Sequence, residues 1–114
     1  MIRTAALGFL LITASASATD LSGIPQNCEA PLAHDMEMTN IPYLLELGPN
    51  AAHITKIDTI GGPDAYQYAP NLYKIDCAIT VHWSNGAVDM AYLFSAWQDK
   101  YDGLKGYYGP QIRH

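Results

Sequence analysis

Apolar and polar residues alternate most cleanly in the second half of the chain, from Leu72 to Trp97. Asn85-Gly86 interrupts that stretch, and the pair suits a two-residue type I′ turn between antiparallel strands. Folding the chain about it sets Trp83 opposite Val88, Val81 opposite Met90, Ile79 opposite Tyr92, Cys77 opposite Phe94 and Ile75 opposite Ala96. All of these pairs are apolar on both strands. The intervening pairs, His82 with Asp89, Thr80 with Ala91, Ala78 with Leu93 and Asp76 with Ser95, are mixed, as a partly solvated face should be. A slip of one residue would turn the apolar set to the wrong face, so this register is the predicted one.

Upstream the period changes. From Pro31 to Leu47 the spacing is helical, with Leu32, Met36, Tyr43, Leu44 and Leu47 near one face. Pro42 lacks an amide hydrogen, which predicts two short helices or one broken near Thr39-Asn40, and Gly48-Pro49 supplies the stop. Ile54 to Ile60 is rich in β-branched residues and predicts a strand, ended by the turn Gly61-Gly-Pro-Asp64. Tyr66-Gln-Tyr68 is a short extended segment interrupted by Pro70-Asn71. Leu104 to Tyr108 is a last strand, reached by a turn at Asp102-Gly103 or by a longer loop from Asp99 to Gly103. Together these elements predict one α+β domain over residues 31–110, an N-terminal helical segment packed on a four-stranded antiparallel sheet. Residues 19–30 form a lead-in and residues 111–114 a tail.

The opening residues carry a different message. Arg3 precedes the apolar run from Ala5 to Ile12, and Ala14-Ser-Ala-Ser-Ala18 follows with the small residues that a signal peptidase requires. The run is far short of the ~20 residues that span a bilayer. Residues 1–18 therefore read as a cleavable signal peptide, cut after Ala18, that sends the chain to the periplasm or outside the cell. No membrane span follows it. In that compartment Cys28 and Cys77 are a natural disulfide pair. The predicted register turns Cys77 inward, toward the helical segment that begins just after Cys28.

Charge and chemistry narrow the function classes. A net charge of −5 with scattered lysines excludes a phosphate-backbone footprint, so nucleic acid is not an expected partner. No glycine-rich phosphate loop, H-E-x-x-H, C-x-x-C or EF-hand loop occurs, and nothing points to a cofactor. His82 beside Asp89 is one candidate site, because a carboxylate orients an imidazole. An exposed cross-strand ion pair is the plainer reading, and Ser95 lies about 20 Å along the strand from Asp89, too far to complete a triad. His34 and Met38, one helical turn apart, form a weak soft-metal pair; two ligands do not make a site. Eight tyrosines, two tryptophans and two phenylalanines are many for this length. Of these, Tyr66, Tyr68, Tyr107 and Tyr108 are the candidate contacts for a protein, peptide or glycan partner.

The stretch from Tyr73 through Cys77 to Asn85-Gly86, followed by Tyr92-Leu-Phe94, resembles small exported bacterial domains of the cystatin or NTF2-like kind. The resemblance implies one helix on a curved antiparallel sheet and no particular activity. The Gln-X-Val-X-Gly loop by which cystatins engage proteases is absent. The reading is an exported, non-enzymatic binding protein; the alternative is a small carrier or enzyme that uses the concave sheet face with His82 and Asp89.

Overall fold

Every second residue from Ile75 to Trp83 is apolar, and each of them is buried while its neighbours are half-buried. That strand is the centre of the sheet. The computed structural model describes residues 23–101 and 103–111. Residues 1–18, expected as a signal peptide, the start of the lead-in and the tail beyond Gln111 lie outside them. The elements are α1 (Pro31–Leu44), β1 (Ile54–Gly61), β2 (Tyr66–Ala69), β3 (Leu72–Trp83), β4 (Val88–Asp99) and β5 (Gly103–Pro110). All pairings are antiparallel, in the order β1-β3-β4-β5, with β2 sharing the β3 edge with β1. The α+β class is as predicted, but the sheet has five strands rather than four. The added strand is β2. Pro70-Asn71, expected to interrupt it, is instead the tight turn that folds it onto β3, with Asn71 at φ 62° and Ala69 opposite Leu72.

α1 is continuous, where the sequence predicted a break at Thr39-Asn40. Pro42 falls in the last turn, so only the Met38 carbonyl loses a donor, and the helix ends within a few residues. The end is a Schellman motif: the Leu47 amide donates to the Pro42 carbonyl (3.1 Å) and the Glu46 amide to that of Tyr43 (3.0 Å). Glu46 holds the left-handed position at φ 56°. The buried stripe also differs from the predicted one. Ala33, Glu37 and Ile41 face the sheet, Met36 and Leu44 flank them, and Tyr43 is 80% exposed. A stripe made of a small residue, a carboxylate and one isoleucine carries almost no amphipathic signal.

Cys28 and Cys77 form the predicted disulfide, Cα to Cα 5.7 Å, tying the lead-in to the middle of β3. The β1–β2 link passes so close that a Cβ on Gly62 would lie 2.3 Å from the Asp76 carbonyl oxygen and 3.2 Å from the Cys28 sulfur. Only glycine fits there.

The hairpin β3–β4 agrees with the predicted register in its lower half, where Ile75 faces Ala96, Cys77 faces Phe94 and Ile79 faces Tyr92. Its tip does not. The Trp83 amide donates to the Ala87 carbonyl (2.9 Å), which leaves a three-residue loop with Gly86 at φ 89°. This shifts the upper pairs by one, to Val81 with Asp89 and His82 with Val88. A bulge at Met90 and Ala91 absorbs the extra residue; Ala91 sits at φ 55° and its amide donates to Thr80 Oγ1 (3.1 Å). The predicted His82–Asp89 pair therefore does not form. At the other end the longer loop is the one adopted, because Asp99 pairs with Gly103 and Lys105 lies opposite Trp97.

Candidate functional site

Directly opposed residues of an antiparallel pair share a face, so the shifted register puts Asp89 beside Val81 on the helix side of the sheet. α1 has ended at Leu44 before reaching this region. The chain that follows it and the hairpin end of the sheet flank an open cleft of about 490 Å³. Leu45, Leu47 and Ala52 form one wall, and Trp83, Asp89, Tyr92, Tyr108 and Pro110 form the other. A volume of this size suits a small ligand.

Asp89 is the charged group of the cleft. Its Oδ2 accepts from Trp83 Nε1 at 2.9 Å and from the Tyr108 hydroxyl at 2.6 Å. Tyr108 is only 8% exposed, and burial, then the bonded Asp89 carboxylate, pushes its phenol well above the usual range. Tyr108 therefore stays protonated and acts as a fixed donor. The Tyr92 ring leans on that of Tyr108, centroids 5.4 Å apart. Asp89 Oδ1, by contrast, accepts no hydrogen bond from the described residues. One carboxylate oxygen is thus locked by two donors, while the other is left for whatever enters.

The remaining sequence candidates are dispersed. His82 lies on the far face, where its Nε2 is 2.9 Å from Asp58 Oδ2 on β1. That hydrogen bond, with Lys56 Nζ 3.3 Å from Asp58 Oδ1, holds the Asp58 carboxyl below its usual range. His82 and Asp89 are not brought together. Tyr66 is also on the far face and donates to Asp76 Oδ2 (2.8 Å), which raises its phenol, while the Ser95 hydroxyl takes Asp76 Oδ1 (2.5 Å). Tyr68 donates to the Gln98 carbonyl, and Tyr107 lies on the face opposite Tyr108. The four candidate tyrosines thus divide between sites, and only Tyr108 reaches the cleft. His34 and Met38 are exposed on α1. Among the described residues no group of three His, Cys, Asp or Glu side chains is placed to hold a metal, and no helix is long and apolar enough to cross a membrane.

Trp83, Tyr92, Leu45 and Leu47 were not singled out from the sequence as site residues. The available signal was the loop: read as Ser84-Asn85-Gly86 with glycine in the left-handed position, it would have set Asp89 against Val81. A second group escaped notice altogether. Glu37 is fully buried in α1 with neither carboxyl oxygen hydrogen-bonded to a described residue, and burial pushes its pKa up to about 7. Compared with protein-family models, curated proteins and solved structures, the chain matches none of them, and the cleft is read from its own residues.

Proposed function

We propose that the chain is an exported, non-enzymatic binding protein and that the cleft around Asp89 receives a small ligand. One observation carries this reading: a carboxylate held by Trp83 and Tyr108 stands in a cleft that is otherwise mainly apolar, with one oxygen unengaged. A few convergent polar groups in an apolar recess are what a small-molecule site needs. Binding is favoured over catalysis because Trp83, Tyr108 and Asp89 Oδ2 are engaged with one another, and the imidazole expected beside Asp89 lies on the other face. Export is supported by the signal-like residues 1–18 and fits the Cys28–Cys77 bond.

The test uses the neutral fluorophore N-phenyl-1-naphthylamine. Its emission should rise saturably on adding the protein, and Leu47→Asp, at an exposed cleft position, should weaken the effect. Leu104→Asp, in the separate groove between α1 and β5, should not. No saturable binding, or binding lost only with Leu104→Asp, overturns the assignment.

A further inference from the structure

We propose that the cleft selects a primary alkylammonium ion, with the ammonium on Asp89 Oδ1 and the alkyl body against Tyr92, Leu47 and Pro110. The proposal rests on the cleft being the ligand site and adds the chemical class of that ligand.

Charge is the first reason. The ion pairs of Lys56, Lys74 and His82 use Asp58 and Asp76, and none of them reaches Asp89. Its two partners, an indole N–H and a phenol O–H, are neutral donors that orient the carboxylate without cancelling its charge. An anionic ligand would be repelled. A neutral apolar one can pack on the walls but forms no charge-assisted bond with Oδ1, so it binds more weakly.

The surroundings decide which cation. A metal ion asks for several oxygen ligands, whereas the cleft offers a single carboxylate among aromatic and aliphatic walls. An ammonium with N–H groups gives Oδ1 a charge-assisted hydrogen bond that no described residue supplies. Trp83, Tyr92 and Tyr108 add aromatic surface, whose electron-rich faces attract a cation that has shed its water. The lock on Oδ2 matters as well: because Trp83 and Tyr108 fix the carboxylate before binding, little side-chain freedom is lost on complex formation.

The experiment compares three ligands of equal chain length, hexylammonium, 1-hexanol and hexanoate, by calorimetric or chemical-shift titration at neutral pH. Hexylammonium should bind about tenfold or more tightly than hexanol, as a hydrogen bond to a charged group implies, and hexanoate most weakly. Asp89→Asn should remove the preference for hexylammonium over hexanol. Ala87→Lys, at an exposed rim position, should weaken hexylammonium about tenfold and leave hexanol unchanged. This second variant keeps the test open if Asp89→Asn unfolds. If hexanol or hexanoate binds as well as hexylammonium, the cation assignment fails while the cleft stands. If none of the three binds, the cleft reading fails with it.

Discussion

Glu37 is the residue with the sharpest measurable consequence. It is 0% exposed and has no hydrogen-bond partner among the described residues, so its charged form is disfavoured in the folded chain. Its folded pKa of about 7 lies above the 4.5 of an ordinary glutamate, which means that the folded state binds the proton more tightly. The stabilisation from the neutral acid is therefore complete below about pH 4.5, declines as pH rises and is gone above about pH 7. The drop amounts to roughly 3 kcal/mol at 1.36 kcal/mol per pKa unit. Urea unfolding at pH 5 and pH 8 should show it, and Glu37→Gln should abolish the difference and leave the protein more stable at pH 8. A flat profile in the unmodified chain would show that Glu37 reaches water. Asp58 acts in the opposite sense: its lowered pKa protects the fold until the pH falls into the acidic range. Nothing in the sequence marked Glu37, because a glutamate in a helical pattern reads as a solvent-facing position.

At the scale of elements, alternation predicted β3 and β4, β-branched content predicted β1, and the turn before it marked β5. Where the sequence reading missed, the cause was backbone conformation. Glu46 and Ala91 hold positive φ without the glycine that normally advertises it, and Asn71 does so in a turn mistaken for a break. The helix end offers a direct test. Because Glu46 occupies the left-handed position of the Schellman motif, Glu46→Gly should stabilise the protein by about 1 kcal/mol, read as a rise in the urea midpoint with unchanged slope. Destabilisation would mean that the Glu46 side chain contributes more than its backbone strain costs.

The whole molecule hangs on one covalent constraint. The Cys28–Cys77 bond joins the lead-in to the central strand across a sequence separation of 49, so it closes a long loop in the unfolded chain. Replacing both cysteines with serine should cost about 4 kcal/mol in the chain-entropy model, a large part of what so small a domain possesses. Equilibrium unfolding of the double variant checks this; a loss under about 1 kcal/mol would place the stability in the core alone. Fold class, disulfide and central hairpin were legible because each follows from patterns within a strand or from cysteine pairing. The cleft was not, since it depends on how a helix end, a hairpin tip and the final strand meet. Asp89 was named, but with the wrong neighbour and on the wrong face.

The bulge at Met90 and Ala91 leaves the hairpin tip with two ways to close on the same sequence. The observed tip has three loop residues and a bulge, with Asp89 turned inward. A tip closed on Asn85-Gly86 alone needs no bulge, keeps every pair from Ile79–Tyr92 downward and carries Asp89 across the sheet to His82. The bonds from Trp83 and Tyr108 favour the observed, inward closure. Ala91→Gly should tighten that bias and Ala91→Val, which suits positive φ poorly, should relax it. Amide exchange over residues 84–91 should slow in the first variant and quicken in the second, and hexylammonium affinity should follow. A one-residue change in loop closure would thus switch the cleft's charge on or off without moving the rest of the sheet.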